Sequence, residues 1–150
     1  MVDIPLILKK LSKLEEYYKQ IEEFKGITLN EYSNDWKIQR IVERTLQIMI
    51  ETCVDIANHI IADNKLRIPE SYADTFKVLH ENTIVSDDLF NTMNKMVKFR
   101  NVVVHQYSNV NAEIVIVILK KHREDFMQYR DAIVMYLKNH GFNEYHKNNA

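Results

Sequence analysis

Glycine and proline are nearly missing from this 150-residue chain: Gly26, Gly141, Pro5 and Pro69 are the whole supply. A sequence so short of turn-formers has few tight turns, which disfavours many short strands and favours a few long helices. The same shortage excludes a glycine-rich phosphate loop. Cysteine is limited to Cys53, so the chain can form neither an intramolecular disulfide nor a cysteine-clustered zinc site, and its composition fits a reducing compartment. Long apolar runs are also lacking. The longest, Ile114 to Leu119, is far too short to cross a bilayer, and no basic N-terminus leads into a cleavable apolar stretch. A cytoplasmic protein with no membrane partner is expected. Nor is there an excess of one charge: 20 Lys and Arg stand against 21 Asp and Glu. No bulk basic field draws in nucleic acid, so any such contact needs a local patch or cleft.

What is present reads as helix. Ile4, Ile7, Leu8, Leu11, Leu14, Tyr18, Ile21 and Phe24 recur every three or four residues, which predicts an amphipathic helix over 3–25 with Gly26 as its stop. Thr28 followed by Glu31 resembles a capping box. A second helix is expected over about 31–64. Its apolar residues, Trp36 and Ile41 among them, cover most of the circumference, as in a central helix packed on several sides. One polar stripe remains on it: Arg40, Arg44, Glu51, Asp55 and Asn58 or His59. This is either a solvated face with helical ion pairs or the lining of a cleft. Ser71 with Asp74, Ser86-Asp87-Asp88 and Asn111 mark three further helix starts. The last helix is expected over about 112–140, although its opening Ile114–Leu119 has strand propensity. The fold class is thus all-α, an antiparallel bundle of four to five helices. It forms one domain over 1–142 with a frayed tail at 143–150.

Chemistry concentrates in one segment, Arg100-Asn101-Val102-Val103-Val104-His105-Gln106-Tyr107. Three apolar residues anchor its backbone and leave Arg100, His105 and Tyr107 to find other outlets. A histidine of ordinary pKa, about 6.5, gives and takes protons at neutral pH. Arginine brings a permanent charge and a planar fork suited to phosphate oxygens. None of the six histidines has a glutamate three residues before it, which removes the paired ligands of a di-iron bundle. Asp55 and His59 lie one turn apart and could share a metal, but no second such pair exists, so a metal-binding bundle is disfavoured.

The Arg-x4-His spacing, with a polar residue after the arginine, resembles the active-site motif of HEPN-domain ribonucleases. The tyrosine two places on resembles the form found in HepT toxins, the partners of the minimal nucleotidyltransferase antitoxin MntA. The flanks are similar as well: Arg40-Ile41-Val42-Glu43-Arg44 leading into Val54 to Ile60, then Ile68-Pro69 with Tyr72, Phe76, Leu79 and Ile84. The likeness covers roughly residues 3–137. It implies a HEPN-like homodimer acting as an endoribonuclease toxin on RNA. His105 would serve as general base or acid and Arg100 as clamp on the scissile phosphate, while Asn101 orients His105 or holds the phosphate. Arg40, Arg44, Asp55 and His59 are candidate cleft-lining residues. No cofactor or metal is implied for the chain itself. ATP and Mg²⁺ enter only through an MntA-like antitoxin, which would neutralise the toxin by transferring AMP to Tyr107.

Helix geometry adds a constraint: residues five apart diverge by about 140°, since each turns about 100°. Either the helix ends near Val104 or two chains each bring a motif to one cleft, and the resemblance implies the second. Two other roles stay open. Arg100 could instead pair with Asp55 or Glu51, with His105 a satisfied core residue. The whole chain could be a non-catalytic HEPN-like module that dimerises and docks a nucleotidyltransferase.

Overall fold

The structure is a computed structural model and describes residues 2–105 and 110–142. Helix α1 (Ile4–Glu22) opens on Asp3, whose carboxylate accepts the Leu6 amide at 3.2 Å. Its buried stripe is Ile4, Ile7, Leu11, Leu14 and Ile21. The helix ends at Glu22, short of residue 25, and tight backbone bonds carry the chain on to Ile27.

The expected helix over 31–64 is two helices, α2 (Leu29–Ser33) and α3 (Trp36–Asp63). Asp35 makes the break. Its carboxylate accepts the amides of Lys37 and Ile38 at 3.0 and 3.2 Å and so starts a new helix. The Gln39 side chain donates back to the Tyr32 and Ser33 carbonyls at 2.9 and 3.1 Å, satisfying the open end of α2. Thr28 caps α2, accepting the Glu31 amide at 3.1 Å and donating to the Glu31 carboxylate at 2.9 Å. Ten residues of α3 from Val42 to Ile61 are buried. Trp36 and Ile41, expected to face inward, stand 65% and 51% exposed near the N-terminal end of α3.

A left-handed residue, Lys65 at φ 54°, turns the chain out of α3, and the Leu66 amide closes back on the Ile61 carbonyl at 3.0 Å. Ser71 then caps α4 (Tyr72–Glu81), accepting the Asp74 amide at 3.0 Å. Arg67 binds the connection to the helix. Its fork donates to both Asp74 oxygens at 2.8 Å and to both Glu81 oxygens at 2.9 Å. Ser86 starts α5 (Asp87–His105), accepting the Leu89 amide at 3.2 Å, with Asp87 and Asp88 on the positive end of the dipole.

The expected helix over 112–140 is interrupted. Helix α6 (Ala112–Val117) passes into a π-helical turn (Ile118–His122), then α7 (Asp125–Leu137) and a second π-helical turn (Lys138–Phe142). Val115 and Ile116 of α6 and Ile118 and Leu119 of the first π-helical turn are all buried. The Arg123 guanidinium donates to the Leu119 carbonyl at 2.9 Å, giving an opened backbone group a partner.

In the bundle, α1, α4 and α5 pack on α3, and α7 lies against α1 and α5. Tyr129 of α7 reaches the centre: its hydroxyl donates to the Cys53 carbonyl of α3 at 2.8 Å, and its ring meets Phe76 of α4 edge-on at 5.8 Å. The described residues hold no strand, so the all-α reading stands. None of their helices is long and apolar enough to cross a membrane.

The Arg67 fork holds the Asp74 carboxyl well below the usual carboxylate range, with the Glu70 amide adding to the effect, and it lowers Glu81 as well. A carboxyl depressed in the folded state stabilises the fold above its unfolded pKa of about 3.9, and that stability is lost as pH falls further. Arg67→Ala is therefore expected to lower the urea midpoint at pH 7. The gap from wild type should narrow steadily below pH ~4. A gap that stays constant down to pH ~2 would refute this linkage.

Candidate functional site

Arg100 projects from the last turns of α5 into a cradle made by α3 and α4. Its Nε donates to Glu51 Oε1 of α3 at 2.9 Å, and Nη2 lies 2.9 Å from the same oxygen. Gln47, one turn earlier on α3, donates its amide to that oxygen at 3.1 Å. The Arg100 guanidinium carbon sits 4.6 Å from the centroid of the Tyr72 ring, at the first residue of α4, in a cation–π contact. Nη1 donates to Asn101 Oδ1 at 3.2 Å. The side chain is 17% exposed, so most of it is withdrawn from water. Guanidinium carries five N–H donors. Donors on Nη1 and Nη2 remain without a protein partner among the described residues.

His105 is the final residue of α5 and is exposed. The helix does not stop before it, so Arg100 and His105 leave α5 in different directions, as the five-residue spacing requires. Among the described residues nothing bonds the His105 ring. Asn101 is exposed beside Arg100. Tyr107 lies outside the described residues.

The polar stripe of α3 divides into two parts. Arg40 is exposed at 3.8 Å from Glu43, and Arg44 is exposed one turn on; the stripe continues through Gln47 to Glu51 beneath Arg100. Burial pushes the Glu43 carboxyl up, against the opposing pull of Arg40. Asp55 and His59 face elsewhere: Lys10 of α1 bonds Asp55 at 2.5 Å, and His59 Nε2 lies 3.6 Å from it. That ion pair ties α1 to α3. Among the described residues no third metal-ligating side chain joins it.

Two members of the cradle carry no chemical signal in the sequence. Gln47 is an ordinary helix residue until its register with Glu51 is known, and Tyr72 meets Arg100 only through the packing of α4 on α5. What the sequence offers is spacing on a stripe for one and likeness to a family pattern for the other.

An all-helical bundle with a held arginine and an exposed histidine at the end of one helix matches what the resemblance to HEPN-domain ribonucleases implies. The family described as ribonuclease HepT-like matches residues 14–133, and the chain belongs to it. The mRNA nuclease HepT of Shewanella oneidensis is 35% identical over 128 residues, covering 85% of this chain and 96% of that protein. A tRNA nuclease HepT of Aphanizomenon flos-aquae is 26% identical over 136 residues, covering 89% and 91%. Among solved structures, the tri-AMPylated Shewanella oneidensis HEPN toxin in complex with MNT antitoxin superposes with a TM-score of 0.80 at 35% identity. The match covers 90% of this chain and 99% of that one. The family read from Arg100, His105 and Tyr107 is thereby borne out.

The cradle gives a direct energetic expectation. Glu51 and Arg100 are half-buried partners, so removing either leaves the other short of a counter-charge. Each alanine substitution is expected to cost about 1–3 kcal/mol in urea unfolding. The double substitution should fall short of their sum by about 1 kcal/mol or more. Strict additivity would show that the pair is not coupled.

Proposed function

We propose that this protein is the endoribonuclease toxin of a toxin–antitoxin pair. It works in the cytoplasm as a homodimer and cuts RNA with Arg100 and His105. The Arg100 cradle carries this reading: Glu51 and Tyr72 fix the guanidinium while leaving N–H donors uncommitted, as a phosphate clamp requires. RNA supplies its own nucleophile. His105 takes the proton of the 2′-hydroxyl as that oxygen attacks phosphorus. A second imidazole, from the partner subunit, protonates the departing 5′-oxygen. The products are a 2′,3′-cyclic phosphate and a 5′-hydroxyl, with Arg100 holding the charge that builds on the phosphoryl oxygens. Asn101, bonded to Arg100 Nη1, positions the clamp. The divergence of Arg100 and His105 on α5 favours two chains around one cleft. Relatives that share this family support the reaction class.

Wild-type protein is expected to cleave RNA in the presence of EDTA, and His105→Ala is expected to lose about two orders of magnitude or more. Activity abolished by the chelator would end the metal-free mechanism. Equal cleavage by both proteins would remove His105 from the chemistry.

Neutralisation is assigned to an MntA-like nucleotidyltransferase, which brings ATP and Mg²⁺. The Tyr107 phenol oxygen bonds the α-phosphorus of ATP, the bond to pyrophosphate breaks, and the phenol proton passes to solvent. A bulky anion two residues from His105 repels RNA phosphate. The solved HEPN toxin with AMP attached supports this step. On incubation with such an antitoxin and ATP, Tyr107→Phe should show no mass gain. Addition of whole AMP units to that variant would move the modification elsewhere.

One observation favours a second reading. Arg100 commits part of its charge to Glu51 inside the fold, as it would in a non-catalytic module that docks a nucleotidyltransferase. Such a module would show no cleavage by wild type under any of these conditions.

A further inference from the structure

On the side of α5 away from the Arg100 cradle runs a groove of about 1020 Å³ between α2, the start of α3, α5 and α6. Trp36, Arg40, Lys95, Lys98, Val102 and Ile114 give it its character. Trp36 is 65% exposed, an unusual position for the largest aromatic side chain, and the Lys37 ammonium lies 5.8 Å from its ring centroid. The Arg40 side chain is 74% exposed. Lys95 and Lys98 are exposed as well. Among the lining residues Glu43 is the sole carboxylate, and it is mostly covered and set against Arg40. In a chain of net charge −1, this groove gathers cations around an open aromatic face.

The groove also leads towards the chemistry. Lys98 and His105 are seven residues apart on α5, so their directions differ by only about 20° and their heights by about 10 Å. At the other side the α3 stripe runs from Arg40 through Arg44 to Glu51 under Arg100.

We propose that this groove is the substrate-strand subsite: a single-stranded stretch of RNA lies in it, one base stacked on Trp36 and its phosphates held by Arg40, Lys95 and Lys98. The occupant rests on the ribonuclease reading above. An open indole suits any base, because every base has a π-face, and lysines and arginine bind phosphate without reading sequence. The arrangement therefore selects unpaired RNA over a duplex, whose bases are already stacked.

Trp36 is the chain's single tryptophan, so intrinsic fluorescence reports one ring. The full-length His105→Ala protein is titrated with a short single-stranded oligoribonucleotide of mixed sequence. Saturable quenching is expected. The double variant Lys95→Glu with Lys98→Glu should raise Kd about tenfold or more, and the slope of log K against log salt should flatten by about 0.7 for every phosphate no longer neutralised. In otherwise wild-type protein, Trp36→Ala should raise KM about tenfold with kcat unchanged. All three positions are exposed, so these changes spare the core. If wild type cleaves RNA but Trp36 is not quenched and the KM values stay put, the groove is wrong and the ribonuclease reading survives. If binding behaves as expected but no cleavage occurs, the groove stands only as an RNA-binding site, and the ribonuclease reading falls with its substrate role. Should either variant turn a dimer into monomers by sedimentation, the groove is the contact between protomers, and the proposal is overturned.

Discussion

Helix α3 buries ten residues along one face, and α1, α4 and α5 all pack against it. Packing of the neighbouring helices leaves the Glu51 carboxylate only about a third exposed, so a cation among its neighbours stabilises it. Arg100 supplies it. The pairing joins α5 to α3, and the Tyr72 ring brings α4 against the same guanidinium. The same contact that compensates a half-buried carboxylate also holds a guanidinium in a set orientation at the end of α5.

On the proposed ribonuclease reading, that orientation leaves a single chain incomplete. Since α5 is helical through His105, the Arg100 guanidinium and the His105 imidazole emerge on different sides of one rod. In the proposed homodimer a two-fold partner would bring a second copy of both groups, because an isologous contact presents the same surface twice.

The amino-acid order makes much of this legible. Thr28, Ser71, Ser86 and Asn111 act as helix caps where their side-chain oxygens predict them, because capping is a local bond between a residue and the backbone two or three places on. The family motif is equally plain. What escapes a reading of the sequence is set by contacts distant along the chain or by subtler local competition. The stop at Asp35 is hidden within a continuous apolar period, and Gln39 secures it from beyond the break. No breaker residue in the sequence marks the π-helical turn at Ile118–His122. Trp36 reads as a core residue because hydrophobicity cannot distinguish a buried ring from one left open. Asp55 and His59 read as candidate cleft residues because nothing in the α3 pattern announces Lys10 on α1.

The Cys53 thiol is wholly buried at the centre of α3, where burial pushes its pKa up. Alkylating and oxidising agents attack the thiolate, a form that such surroundings suppress. The folded bundle thus shields the Cys53 thiol, and its labelling by sulfhydryl reagents would time the opening of the bundle. A probe attached at any engineered surface cysteine would label that position alone.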